Sequence, residues 1–264
     1  MDLVASEGDT DCKQSGGALE VYIAASKAIL SHLAWFDIIG AVSCGRQFIL
    51  GIDYSPLLES RVLDMRMAGC QNCIVASTVD IASLRHWKAA AEEKKALNIM
   101  ELGARGRQIL EPLEASLQAM QATEALSDTN LVSLAFARAA IIYLHTVISG
   151  PNPYLEDIRT QTIDLKKLLH ELGQRGVADR AVWPACVVAC FSLEDDAITD
   201  SSAFPFGTDL DKATGFSENP IRFRSTEYLA AALEGGKKCS ELRAQGENSD
   251  WTLAGNDFPE ILLA

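Results

Sequence analysis

The amino-acid sequence predicts an all-α fold, a single-domain antiparallel or orthogonal helical bundle with one buried helix at its centre. Apolar residues recur at three- and four-residue spacing in several segments, which is the period of an amphipathic helix. No segment shows the alternating apolar and polar residues of a half-buried strand. Residues 131–149 are apolar on almost every face, so other helices must enclose that segment. Together these observations favour helices packed on helices.

The N-terminal half is expected to contain a short leader followed by long helices. Residues 1–17 are polar, acidic and rich in Gly and Ser, which predicts a disordered leader before a helical domain over 18–264. Residues 19–44 are rich in Ala, Ile and Leu and end at Gly45, which predicts one long helix or two helices with a kink near Gly40. Helical periodicity returns over 72–95 and around 109–120, where Pro112 indicates a kink or a new start.

The C-terminal half shows the clearest amphipathic helix and the sharpest change in composition. After Pro153, apolar residues recur at helical spacing until Gly173, which predicts a helix packed on one face. Residues 194–224 are acidic, with scattered Pro and Gly, and are expected to form a long mobile loop. A further helix is expected over 225–243, before a final segment that reads DWTLAGNDFPEILLA.

Composition limits the classes of function. Lys and Arg number 23 against 36 for Asp and Glu, so the formal net charge is −13, opposite to the basic surface that nucleic acid selects. We therefore expect no direct nucleic-acid partner. The N-terminus shows no apolar stretch of signal-peptide length and the central apolar segment reads as a core helix, so we expect an intracellular protein, nuclear or cytoplasmic, with no membrane partner.

The seven cysteines admit a metal reading, but a simpler one is favoured. Cys70 and Cys73 form a C-x-x-C pair, and Cys186 and Cys190 lie four residues apart on one helix, so four thiolates could bind zinc. Buried free cysteines, however, commonly act as small apolar residues, and we expect neither a metal nor a cofactor. The acidic run 194–196 is similarly interpreted as a solvated surface. No standard catalytic signature is present.

The predicted central helix has two polar residues within an apolar face. Leu134, Arg138, Ile141, His145 and Ile148 share that face by helical spacing. A buried His is more often a hydrogen-bonded core residue than a catalyst, but this face could also be the wall of a pocket. Tyr143, on the adjacent face, admits the same two interpretations.

Asp37 is a carboxylate within the apolar run Ala34–Ile39 and must have a compensating environment. Pairing with Arg46 is the favoured interpretation. If burial instead raised its pKa beside a cavity, Asp37 would be a candidate general acid or base.

Several stretches resemble the C-terminal regulatory domain of fungal zinc-cluster transcription factors, the fungal-specific transcription factor domain. The similarity extends over residues 18–193 and rests on the order and spacing of its pieces. These pieces are Trp35-Phe36-Asp37-Ile38 with Gly45-Arg46, Met67-Ala68-Gly69-Cys70, the segment IASLRHWK at 81–88, the segment AAIIYLHTVISGP at 139–151, and Trp183-Pro184 with Cys190.

The resemblance implies an all-helical regulatory domain without enzymatic activity. Such domains are expected to bind a small hydrophobic effector, or to contact the transcription machinery or mask an activation segment. Trp35, Trp87 and Trp183 are implied to be large core anchors, and as the sharper hypothesis they contact a ligand together with Arg138 and Ile141. The six closely spaced cysteines of a zinc cluster have no counterpart here, so the chain is expected to act through a partner such as a zinc-cluster factor.

Three functions follow from the sequence. The first is a regulatory domain that binds a hydrophobic metabolite, a protein partner or both. The second is a domain recruited as an enzyme of fungal specialised metabolism, a cyclase or isomerase with His145, Tyr143 and Asp37 as acid–base or orienting groups. The third is a pure protein-interaction scaffold, because the final segment has the composition of an activation segment.

Overall fold

The structure, a computed structural model, describes residues 11–122 and 127–192, with side chains from Leu19 onward. Within these residues all regular secondary structure is helical, which confirms the predicted all-α bundle. The seven α-helices of this described part are α1 (Asp11–Cys44), α2 (Ser55–Glu59), α3 (Asn72–Glu93), α4 (Ile99–Gln121), α5 (Asp128–Ser149), α6 (Glu156–Gln174) and α7 (Val182–Phe191). Short 3-10 turns at Met65–Ala68 and Ala178–Ala181 precede α3 and α7.

Helix α5 forms the centre of the bundle, as its composition predicts. It packs against α3, α4, α6 and α7, and apolar residues on all of its faces are buried. Ser127 starts the helix, because its hydroxyl accepts a hydrogen bond from the Asn130 amide at 3.2 Å. Two helical segments among the described residues, Leu19–Cys44 and Asp128–Ser149, have the length and composition to cross a membrane. The second of these is α5, whose enclosure by other helices marks it as a core helix.

Helix α1 is one uninterrupted helix rather than two. It passes through Gly40 and ends at Gly45, whose φ of 61° is the left-handed terminator that the sequence predicts. It begins at Asp11, inside the segment 1–17 for which the sequence predicts a leader. Residues 1–10 lie outside the described residues.

The other helices follow the predicted periodicity closely. Helix α3 and helix α6 start and end within a few residues of their expected bounds, and α4 continues through Pro112 without a break. The predicted acidic loop at 194–224, the helix at 225–243 and the final segment lie outside the described residues.

Candidate functional site

An aromatic cluster joins α1, α5 and α7. The Trp35 ring meets Phe136 edge-on at 5.2 Å between centroids, and Trp183 stacks on the same Phe136 at 5.7 Å. Trp183 is only 3% exposed, and its indole Nε1 has no hydrogen-bond partner. We call these three residues the aromatic cluster. Two of the tryptophans singled out from the sequence thus come together through Phe136, a residue that sequence reasoning did not select.

The sequence indicates that Phe136 is buried, but it does not indicate which residues contact it. It is the one phenylalanine of α5, a helix that is apolar on almost every face, so its burial was predictable. Which helices would meet it depends on how α1 and α7 pack on α5, and periodicity within one helix does not encode that contact.

Arg138 and Ile141 hold α5 in the bundle. The Arg138 guanidinium donates to Gln161 Oε1 at 2.7 Å and lies 3.1 Å from Asp164 Oδ2, so it joins α5 to α6. Ile141 is a buried core residue. An arginine bound to two side chains of the neighbouring helix positions that helix.

Trp87 is not part of the aromatic cluster. It lies on α3, where it faces α4. The guanidinium carbon of Arg105 sits 4.3 Å from the centre of the Trp87 ring, in a cation–π arrangement. Arg105 also donates to Glu101 at 2.7 Å, so the ring is covered by a charged pair.

Asp37 fastens the segment that follows α1. Its Oδ1 accepts hydrogen bonds from Arg46 at 3.0 Å and the Ile49 amide at 2.8 Å. Its Oδ2 accepts from the Tyr54 hydroxyl at 2.7 Å and the Leu50 amide at 3.1 Å. The expected pairing with Arg46 is confirmed, and it is one of four bonds to the carboxylate.

These bonds determine the ionisation of the two buried partners. Burial alone would raise the pKa of the Asp37 carboxyl, but the hydrogen bonds from Ile49, Tyr54, Leu50 and Arg46 outweigh it and lower that pKa. Burial and the bond to Asp37 raise the pKa of the Tyr54 phenol. At neutral pH the Asp37 carboxylate is therefore ionised, and the Tyr54 phenol that donates to it is neutral.

The acid–base candidates occupy three different surroundings. Asp37, on α1, accepts four hydrogen bonds. His145 Nδ1, on α5, lies 3.8 Å from Asp157 Oδ2 on α6. Tyr143, also on α5, is buried in the core of the bundle. The hydrogen bonds of Asp37 and the ion pair of His145 thus join these two side chains to different partners.

The cysteines differ in burial, and the buried ones differ from a metal-binding thiolate in their protonation. Burial raises the pKa of the Cys70 thiol, and it raises the pKa of Cys186 to about 12. Both stay protonated at neutral pH, and Cys73 is exposed. Among the residues that the structure describes, no group of three or more potential ligands could hold a metal ion.

A polar cleft of about 440 Å³ is lined by Lys27 of α1 and by residues of α2, the first 3-10 turn and the start of α3. Its charged residues are Lys27, Glu59, Arg61, Asp64 and Arg66, and none of the site residues predicted from the sequence lines it. Arg66 is already bound to Asp64 at 2.7 Å. A cleft with charges of both signs does not suit an apolar ligand.

Comparison with known proteins gives the family of this fold. The chain matches the fungal specific transcription factor domain over residues 7–201. It belongs to this family. The family resemblance seen in the sequence is thereby confirmed. No solved structure matches the chain.

The relatives are transcription regulators. A trichothecene biosynthesis transcription regulator of Trichoderma arundinaceum is 31% identical over 179 residues, which cover 65% of this chain and 40% of the relative. The regulator of the same description from Fusarium sporotrichioides is 28% identical over 195 residues, covering 73% of this chain and 46% of the relative. A Nectria transcription factor is 25% identical over 182 residues, or 61% of this chain and 30% of its own length. The chain thus spans less than half the length of these relatives.

Proposed function

We propose that this chain is a regulatory domain that controls transcription of specialised-metabolism genes and binds a small apolar molecule at the aromatic cluster. Membership of the fungal specific transcription factor domain family supports the regulatory role. The names of the two relatives with the highest identity quoted above, both trichothecene biosynthesis regulators, support a biosynthetic gene set as its target. The domain acts inside the cell, in the nucleus.

A protein partner, rather than this chain, makes the contact with DNA in this proposal. The net charge of −13 repels the phosphate backbone. A zinc-cluster factor or a component of the transcription machinery is the class of partner that would bring such a domain to a promoter.

The observation that carries the ligand proposal is the Trp183 indole N–H, a buried donor without an acceptor. Leaving such a donor unsatisfied costs about 1–3 kcal/mol, which a ligand oxygen would recover. The flat rings of Trp35 and Phe136 beside it supply an apolar surface. This chemistry selects a compact apolar molecule with one hydrogen-bond acceptor, such as a carbonyl.

Ligand screening with two matched tryptophan variants tests this site. The full chain is screened by thermal shift against apolar compounds that each carry one carbonyl group. Trp183→Phe keeps an aromatic ring and removes the donor, while Trp87→Phe makes the same change under Arg105. We expect a ligand that stabilises the wild type and Trp87→Phe equally, and binds Trp183→Phe about tenfold more weakly. Equal affinity for all three proteins, or no stabilising compound, would contradict the site.

The regulatory role is tested separately in cells. Deleting the gene should change transcript levels of biosynthetic genes, and a fluorescent fusion of the protein should accumulate in the nucleus. Co-purification from the same cells should recover a DNA-binding partner. A deletion strain with an unchanged transcriptome would contradict the role in transcription, whatever the outcome of the ligand screen.

A further inference from the structure

The N-terminal half of α1 projects from the bundle. Within residues 19–30 every side chain is exposed except the half-buried Ala28, although the segment is mostly apolar. From Ser31 onward, one line of positions that includes Ala34 and Ile38 is buried against the body. Helices that are apolar on all faces are normally covered, so this segment of α1 requires a partner surface.

Five of the exposed apolar residues of α1, together with Ser26, follow a heptad repeat. Along the helix the steps between them alternate three and four residues, which keeps them on one stripe facing a second helix. The stripe lies on the side of α1 away from Ser31, Ala34 and Ile38. We call it the α1 seam, and it consists of Leu19, Tyr22, Ser26, Ile29, Leu33 and Phe36. The five apolar members are 52% to 72% exposed.

We propose that the α1 seam pairs with the same seam of a second copy of this chain. The residues that flank the α1 seam are uncharged. The positions that flank a heptad seam usually carry the charges that select a partner, but here they are Ile23, Ala25, Leu30 and His32. The only fully charged residues between 19 and 36 are Glu20 and Lys27, which cancel.

An uncharged face lets two copies of an acidic protein approach each other with little repulsion. Two copies that each carry −13 repel one another, and they approach with least repulsion where the surface is neutral. A basic partner would gain nothing from a seam without acidic residues. The seam therefore suits a second copy of this chain.

The exposed apolar area of α1 is close to what a stable dimer interface needs. Ile23 and Leu30 flank the seam and are also more than half exposed. Each such side chain presents on the order of 100 Å² of apolar surface, so seven of them offer roughly 700 Å². A stable interface buries about 800 Å² from each partner. Two α1 helices laid together come close to that requirement without any contribution from the body.

Sedimentation of the full 264-residue chain tests the proposal. Wild type should form a dimer at micromolar concentration. Leu33→Glu places a charge on the seam and should weaken the dimer by about 100-fold or more, because the change occurs in both copies. Met100→Glu is the matched control: it adds the same charge at an apolar residue that is 79% exposed on α4, and should leave the dimer unchanged.

A second substitution should act in the opposite direction. Ser26 is the polar member of the seam, and Ser26→Leu should tighten the dimer by about tenfold. Circular dichroism checks that all variants keep their helices. A wild-type chain that is still monomeric at about 100 μM would overturn the proposal. A monomer that binds lipid vesicles through α1 would overturn it as well. A dimer that Leu33→Glu and Ser26→Leu leave unchanged would also overturn it.

Discussion

At the scale of single residues, Asp37 shows how a buried charge organises backbone around it. Its two oxygens accept four hydrogen bonds from residues 46–54, and two of the donors are backbone amides of a segment with no regular structure. Those amides would otherwise lack partners in a partly buried position. The carboxylate thus replaces the hydrogen bonds that a helix or sheet would provide.

Removing the charge of Asp37 should destabilise the fold. Asp37→Asn keeps the size of the side chain but weakens the bonds from Arg46 and the amides, and it places a donor where only acceptors fit. We expect a loss of about 2–4 kcal/mol in the free energy of unfolding. Urea denaturation measures it, with the exposed Asp179→Asn as control. Equal midpoints for the two variants would show that the network contributes little.

The same network should make stability depend on pH. The pKa of Asp37 is lower in the folded chain than in the unfolded chain, so its stabilisation is complete above the unfolded value of about 4. It is lost as the pH falls through the folded pKa. The stability difference between wild type and Asp37→Asn should therefore be constant from pH 8 to about 5 and shrink below about 4. A difference that persists unchanged at the lowest pH would point to packing rather than charge.

At the scale of helices, the sequence predicted what a single helix determines and missed what two helices determine together. Helix α6 was predictable because one face is apolar and the other polar, and α5 because every face is apolar. Helix α1 was predictable as a helix, but its apolar residues cover both the buried line and the α1 seam. Periodicity cannot say which of two apolar faces meets the body.

The candidate site shows the same limit. Trp35 and Trp183 are 148 positions apart in sequence and meet only because Phe136 lies between their helices. The pairing of Asp37 with Arg46 was predictable, since both lie near the end of one helix. The contributions of Ile49, Leu50 and Tyr54 were not, because they depend on how the following segment turns back.

The start of α4 offers a test of local helix signals. Asn98 caps it, accepting hydrogen bonds from the Met100 amide at 2.9 Å and the Glu101 amide at 3.3 Å. Asn98→Ala should cost about 1 kcal/mol, because two amides lose their acceptor. Asn98→Asp, which can also cap, should recover that loss in the same urea titration. If Asn98→Asp were as unstable as Asn98→Ala, the cap would not be the cause.

At the scale of the whole molecule, α5 couples the other helices of the bundle. It packs along α3, α4, α6 and α7 and meets Trp35 of α1 through Phe136, and the small side chains along it let the helices approach closely. Gly106 on α4 illustrates that closeness, since a Cβ added there would clash with the side chain of Ile148 on α5. A core of this kind transmits a change at one position to every helix that packs on it.

Enlarging a residue of α5 should therefore destabilise the whole domain rather than one contact. Ala139 is fully buried, and Ala139→Leu inserts three carbon atoms where no space exists, at a cost of about 1–3 kcal/mol. Because α5 touches α3, α4, α6 and α7, we expect one cooperative urea transition at a lower midpoint. Ala90→Leu on the exposed side of α3 is the matched control and should leave the midpoint within about 0.5 kcal/mol of wild type. A separate early transition in Ala139→Leu would show instead that part of the bundle unfolds independently of α5.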